Sequence, residues 1–178
     1  MDNYYAYYSL PEHYALDLAN LRQLYLDRAR SEHPDYHRQA HATDQAQHLD
    51  ETARNNEAYR TLRDPRLRLL HLLTLAGLMN PAGENLTDRR PDPAFMMEIM
   101  ELNEEAESLP ADQLDAVIHR VESERNALEQ QTQQLMARFD AEADAHIRSS
   151  LLHEVLLIYL KQQYWQRLKN LVDSRQVS

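Results

Sequence analysis

The sequence of 178 residues contains no cysteine and only two glycines. The absence of cysteine excludes disulfides, thiol catalysis, and zinc or iron–sulfur ligation by cysteine within this chain. Strands and tight turns usually need more glycine than this, so we predict an all-α fold. No run approaches eighteen consecutive apolar residues, so we expect no membrane span. The N-terminus lacks the basic and apolar regions of a signal peptide, so we do not expect one. These absences are typical of a cytoplasmic protein.

Basic residues are also scarce relative to acidic residues, which gives a formal net charge of −10. The charge is unevenly distributed: residues 96–145 contain 13 acidic and 3 basic side chains, while the rest of the chain is close to neutral. An acidic half of this kind repels nucleic-acid phosphates, so DNA or RNA binding is not expected. It suits a basic partner protein, or it simply maintains solubility.

Apolar residues recur at helical spacing in six segments. Asp17 and the pair Asp64-Pro65 have the properties of helix N-terminal caps, and Gly77 tolerates the left-handed conformation that ends a helix. The residue before a proline is disfavoured in a helix, so the first long segment should end before Pro34. The predicted helices cover about residues 18–31, 43–62, 65–76, 94–108, 111–138 and 141–173.

A change in composition separates the third predicted helix from the fourth. Residues 80–93 contain three prolines, one glycine and mixed charge, which is typical of a linker. We place this linker at residues 77–93, between an N-terminal domain at residues 1–76 and a C-terminal domain at residues 94–178. The last two predicted helices are long and have regular apolar positions, which predicts an antiparallel three-helix bundle for the C-terminal domain.

The tripeptide His33-Pro34-Asp35 lies between two predicted helices. The proline restricts the backbone, so less entropy is lost when such a loop docks. The aspartate can accept two hydrogen bonds from an arginine of a partner, and the histidine can donate or accept near neutral pH. The tripeptide therefore indicates a recognition loop. The alternative is an ordinary turn between helices with a capping aspartate.

The sequences on both sides of the tripeptide resemble a J domain. Downstream, residues 56–65 read NEAYRTLRDP and are followed by Arg68, similar to the end of the third J-domain helix. Upstream, Tyr25 matches the aromatic residue that packs the second helix on the third. The resemblance implies a helical hairpin whose HPD loop contacts a DnaK-type chaperone. It also implies a basic face on the second helix, formed by Arg22, Arg28 and Arg30.

Over nearly its full length the chain resembles the HscB family, the J-domain co-chaperones of iron–sulfur cluster assembly. The opening residues 4–11 are similar to the start of that family. Residues 95–105, FMMEIMELNEE, are similar to its pattern Phe-Leu-Met-Glu followed by Leu-Glu-Leu-x-Glu-Glu. The resemblance implies that the C-terminal bundle holds an IscU-type scaffold protein. The J domain would then bring this scaffold to an HscA-like chaperone, whose ATPase it stimulates.

Apolar residues extend nearly all round the fourth predicted helix, although a three-helix bundle buries only one broad stripe. We assign Phe95, Ile99 and Leu102 to the core, which leaves the methionines at least partly exposed. Methionine is flexible and polarisable and suits a partner surface, and adjacent acids select a basic partner. The resemblance implies scaffold binding by Met96, Met97, Met100, Glu101 and Glu104, with Leu157 or Tyr159 of the last helix. The alternative is that the methionines fill gaps in the core.

The sequence also allows other interpretations. His33, His37 and His41 are four residues apart, a spacing at which histidines of one helix can share a metal, but Pro34 disfavours a helix there. An enzyme is not expected, since the chain has neither a phosphate-binding glycine loop nor a cysteine nucleophile. We therefore expect no resident metal or cofactor. A J-domain protein with a different client, or a structural helical interaction module, would also account for the helices.

Overall fold

The computed structural model of the chain describes residues 2–31 and 42–176. This part of the chain is helical and forms no β-strand, apart from an isolated bridge between Met79 and Asn85, so the all-α prediction is confirmed. In the same ranges no helix has the length and apolar character needed to cross a membrane. The α-helices are α1 (Tyr4–Tyr7), α2 (Leu18–Ser31), α3 (Ala42–Arg63), α4 (Pro65–Leu75), α5 (Pro93–Ser108), α6 (Asp115–Ala141) and α7 (Ala145–Gln176).

The chain divides into two compact units, Met1–Leu86 and Thr87–Ser178. The boundary between the units falls inside the predicted linker at residues 77–93, so that residues 77–86 belong to the first unit and residues 87–93 to the second. The composition of the segment suggested a linker, but its apolar residues Leu78 and Met79 are buried.

A tight turn after α4 brings these two residues into the first unit. The backbone N–H groups of Leu78 and Met79 both donate to the carbonyl of Leu73, at 2.9 and 3.3 Å. Gly77 has a φ of 72°, in the left-handed region that a residue without Cβ adopts at little cost. The prediction that Gly77 ends a helix is confirmed.

Helices α2 and α3 of the first unit pack side by side. Asp17 caps α2, since its carboxylate accepts two backbone N–H groups of the first turn at 2.9 and 3.1 Å. The ring of Tyr25 stacks on that of Tyr59 with centroids 4.5 Å apart, and the Tyr25 hydroxyl donates to Asn56 Oδ1 at 2.9 Å. The predicted contact of Tyr25 with the following helix is confirmed.

The buried amide of Asn55 joins three helices. Its Oδ1 accepts a hydrogen bond of 2.6 Å from the Tyr8 hydroxyl, which follows α1, and its Nδ2 donates to the backbone carbonyl of Tyr25 on α2 at 3.1 Å. A buried amide with partners for both its oxygen and its nitrogen fixes the relative position of the helices that supply them.

The imidazole of His71 links α4 to α1. It is buried, and its Nε2 accepts the backbone N–H of Tyr4 at 3.1 Å, while the ring stacks on Tyr4 and Tyr5 at centroid distances of 4.8 and 5.8 Å. Burial lowers the pKa of His71, and the negative charge of Glu12 opposes this shift. The neutral imidazole is therefore favoured, and it is the form that can accept this hydrogen bond.

The second unit is the predicted three-helix bundle. Two hydrogen bonds between α6 and α7 give their relative direction. Gln162 of α7 donates to Thr132 of α6, whereas Arg125, earlier in α6, donates to Gln166, later in α7. These helices are therefore antiparallel. Helix α5 packs on both. The core of the unit consists of residues from all three helices and from the turn before α6: Phe95, Ile99, Ala106, Leu114, Val117, Val121, Leu128, Trp165, Leu168 and Val172.

Two helix starts in this unit differ from those predicted. A 3₁₀ turn, Ala111–Gln113, occupies the predicted first turn of α6, which begins at Asp115. Helix α7 begins at Ala145 instead of residue 141, because the carboxylate of Asp144 accepts two backbone N–H groups of the first turn at 2.8 and 3.1 Å.

Candidate partner-binding surface

The start of α5 is held in place by a contact with α7. Asp92 caps α5 by accepting the backbone N–H of Phe95 at 2.9 Å, and its other oxygen lies 2.9 Å from Lys161 Nζ. The Lys161 ammonium also lies over the Phe95 ring, 4.9 Å from its centroid. The hydrogen bond from Lys161 lowers the pKa of Asp92, assisted by the Phe95 N–H. This arrangement fixes the N-terminal end of α5 on α7.

The apolar residues of α5 divide into a buried face and an exposed face. Phe95 and Ile99 are buried and Leu102 packs against the same core, so the predicted core residues are confirmed. Met97 and Met100 are each 62% exposed. Met96 is half-buried and packs against the core, consistent with its predicted partial exposure. Because Met97 and Met100 point away from the core, they are not gap-filling core residues.

Two carboxylates accompany these methionines on the exposed side of α5. Glu101 and Glu104 are exposed, and neither has an ion-pair partner in the part of the chain that the structure describes. Glu98, by contrast, is bound to Arg120 of α6 at 2.7 Å. We name the surface formed by Met96, Met97, Met100, Glu101 and Glu104 the methionine patch.

The two candidates on α7 have different environments. Leu157 is half-buried and lines an open cleft together with Phe95. Tyr159 is only 9% exposed. Of the two residues between which the sequence did not decide, Leu157 therefore offers an accessible surface to a partner and Tyr159 offers very little.

The arginines of α2 also differ from one another. Arg22 and Arg30 are exposed, and Arg30 lies 3.5 Å from Asp27 of the same helix. Arg28 was expected on the same partner-facing side, but its guanidinium lies over the Tyr7 ring, 4.1 Å from the centroid, and donates to the Tyr7 carbonyl. Stacking on an aromatic ring and a backbone acceptor account for this position. Arg28 thus contributes to packing within the first unit.

Some predicted residues lie outside the described ranges. They include the tripeptide His33-Pro34-Asp35 and the histidines His37 and His41. Among the side chains that the structure describes, no three histidine or carboxylate groups lie close enough together to hold a metal ion.

Sequence reasoning did not identify the contact between Asp92 and Lys161. The two residues are 69 positions apart, and neither belongs to a local motif that would pair them. For the position of Arg28 the sequence contains only a weak signal, the cluster of tyrosines within residues 4–8. The neighbouring tyrosines near the N-terminus provide a surface on which such a cation can stack.

Comparisons with known proteins identify the family of this chain. The family model of the HscB C-terminal oligomerisation domain matches residues 91–173. The co-chaperone protein HscB homolog of Bordetella pertussis is 32% identical over 157 residues, which cover 88% of this chain and 90% of the relative. This chain belongs to the HscB co-chaperone family. The HscB homolog of Burkholderia multivorans is 36% identical over 130 residues, 71% of this chain and 73% of the relative. These relatives are named co-chaperones and not enzymes.

Solved HscB structures have the same fold. The chaperone HscB of Vibrio cholerae matches 97% of this chain and 96% of its own, with 25% identity and a TM-score of 0.61. The human co-chaperone HscB matches 99% of this chain and 83% of its own with a TM-score of 0.66, and at 22% identity this likeness concerns the fold alone. HscB structures combine an N-terminal J domain with a C-terminal helical domain, so the predicted fold class is confirmed.

Proposed function

We propose that this HscB-family chain acts in the cytoplasm as a co-chaperone for iron–sulfur cluster assembly. It stimulates the ATPase of a DnaK-type, HscA-like chaperone and delivers an IscU-type scaffold protein to it. Residues 1–76 provide the J-domain function, and residues 94–178 provide the scaffold-binding function. The main observation in support is the methionine patch, where exposed apolar side chains and unpaired carboxylates lie together on α5.

The chemistry of the patch suits a protein partner with an apolar centre and basic residues around it. Met97 and Met100 present apolar area that a partner can cover, and methionine adapts its shape to the surface it meets. Glu101 and Glu104 have no ion-pair partner among the described residues, so an arriving basic residue displaces no existing ion pair. Their charges mainly select the partner and accelerate its association.

The chaperone-binding side of the proposal rests on α2 and the tripeptide that follows it in the sequence. Arg22 and Arg30 are exposed on α2 and can face an acidic surface of the chaperone. The contact of Arg30 with Asp27 is an exposed pair that contributes little to stability, so a carboxylate of the chaperone can replace Asp27 at small cost. We assign the specific contacts to His33-Pro34-Asp35 and no longer include Arg28.

Two measurements with purified proteins test this function. Calorimetry should detect binding of an IscU-type scaffold to the full chain, and steady-state ATPase assays should show stimulation of an HscA-like chaperone. His33→Gln and Asp35→Asn should abolish stimulation without changing the circular dichroism spectrum, since the residues are expected to act through partner contacts. His37→Gln is the matched control, because it changes the same residue type in the same segment but outside the tripeptide.

The results distinguish the proposed function from its alternatives. Full stimulation by the His33→Gln variant would refute the role of the tripeptide. Normal stimulation without scaffold binding would indicate a J-domain protein with a different client. Absence of both effects would leave a structural helical interaction module.

A further inference from the structure

An open cleft of about 660 Å³ lies within the second unit, beside the start of α5. Apolar side chains of all three helices contribute to its walls: Phe95, Leu128, Leu157 and Trp165. The volume is within the range of about 300–1,000 Å³ that is usual for ligand sites in proteins. The cleft can therefore accommodate a large side chain of a partner without rearrangement of the core.

Acidic groups outnumber basic groups around this cleft. Four carboxylates line it, those of Asp92, Glu98, Glu124 and Glu154, with two cations, those of Arg90 and Lys161. Three of the carboxylates have partners: Asp92 is bound to Lys161 at 2.9 Å, and Arg120 lies 2.7 and 3.2 Å from Glu98 and Glu124.

The remaining carboxylate of the cleft, that of Glu154, is exposed and has no ion-pair partner among the described residues. It lies one helical turn before Leu157 and Ile158 of α7, which also line the cleft. A cation entering here would compensate a charge that the second unit itself leaves unpaired.

The contacts of Lys161 show how a positive group is accommodated at the wall of this cleft. Its ammonium is held between a carboxylate, that of Asp92, and the face of the Phe95 ring, 4.9 Å from the centroid. Carboxylates combined with aromatic and aliphatic walls suit a side chain with a long apolar stem and a positive head. Lysine and arginine are the two side chains with this structure.

The cleft adjoins the methionine patch along α5. Ala94 and Glu98 line the cleft. Met97 follows Ala94 by three positions and Glu101 follows Glu98 by three, so each patch residue is a neighbour of a cleft residue on the helix surface. A protein that covers the patch can therefore reach the cleft. We infer that this cleft receives a lysine or arginine side chain of the scaffold protein, an inference that rests on the function proposed above.

Charge reversal at Glu154 tests the inference. In calorimetry of the full chain with a purified IscU-type scaffold at low salt, Glu154→Lys should raise the Kd about tenfold or more, since it replaces attraction by repulsion. The effect should decrease at high salt, because exposed charges are screened. Glu122→Lys is the matched control: it makes the same change of net charge at an exposed position of α6 that does not line the cleft.

A crosslinking measurement locates the contact directly. The chain has no cysteine, so Leu157→Cys carries the only thiol and can be labelled with a photocrosslinker. Mass spectrometry of the crosslinked complex should locate the crosslink from position 157 near a lysine or arginine of the scaffold. Equal Kd values for the Glu154→Lys and Glu122→Lys variants, with normal binding by the wild-type chain, would overturn the cleft assignment alone. Absence of wild-type binding would overturn the proposed function together with this inference.

Discussion

The two exposed methionines of α5 allow the scaffold-binding surface to be tested separately from the fold. Complete burial of a methionine side chain stabilises a protein by about 1.5–3 kcal/mol. Met97 and Met100 are each 62% exposed in the free chain, so only about two fifths of this burial is present. Changing both to serine should therefore lower the free energy of unfolding by only about 1–2 kcal/mol.

The expected effect of the same double variant on binding is larger. A scaffold that covers the exposed parts of both methionines gains apolar burial of about 2–4 kcal/mol, which the serines cannot supply. The Kd should rise about 30- to 700-fold. Met96 is left unchanged because it packs against the core, and its replacement would combine a stability effect with the binding effect.

Calorimetry with a purified IscU-type scaffold measures this change in Kd, and thermal melts followed by circular dichroism monitor the fold. Ile147→Ser is the control, since Ile147 is also apolar and exposed, at 45%, but lies at the start of α7 outside the patch. A Kd for the double variant within about threefold of the Ile147→Ser value would refute the assignment of the patch, because the estimated loss is at least tenfold larger. Chaperone stimulation in the absence of scaffold should be unchanged.

Three further predictions concern the rest of the chain. As pH falls below about 6.5, His71 takes up a proton more readily in the unfolded state than in the folded state, where the imidazole is buried. The free energy of unfolding should therefore fall by up to about 1.4 kcal/mol per pH unit because of this group. The His71→Gln variant keeps an acceptor for the Tyr4 N–H and should show a shallower pH dependence in denaturant titrations. Tyr8→Phe should lower the free energy of unfolding by about 1–3 kcal/mol, measured by urea titration, because the buried Oδ1 of Asn55 loses its donor. Elemental analysis of the purified chain should find well under one iron or zinc per molecule, since no cysteine is present; a stoichiometric tightly bound metal would contradict this.

Local chemistry made most of the fold predictable from the sequence. The carboxylates of Asp17 and Asp64 cap α2 and α4 as predicted, because capping depends only on a side chain and the next two or three N–H groups. Within α5 the spacing of the apolar residues distinguished the buried Phe95 and Ile99 from the exposed Met97. This too is a local property, because an α-helix has a fixed period.

Features that depend on distant residues were not predictable in the same way. The prolines near residues 80–93 suggested a free linker, but hydrogen bonds to the end of α4 and the burial of Leu78 and Met79 join its first part to the first unit. Arg28 was assigned to a partner surface because the family resemblance implies a basic face on this helix, yet its guanidinium lies over the ring of Tyr7. In both cases a tertiary contact outweighed the local pattern.

The order of contacts in the second unit has a consequence for how this unit folds. Helices α6 and α7 are joined by three residues, 142–144, and can pair as a local hairpin. Helix α5 contacts α7 through residues 69 positions apart, both from Asp92 to Lys161 and from Ala106 to Arg175. Contacts between residues this far apart become inexpensive in entropy only after the hairpin has formed, so α5 should be the last of the three helices to dock and the first to detach. Of the three helices of this unit, the one with the methionine patch should then be the least protected from hydrogen exchange, and binding of a partner there should slow exchange in α5 more than in α6.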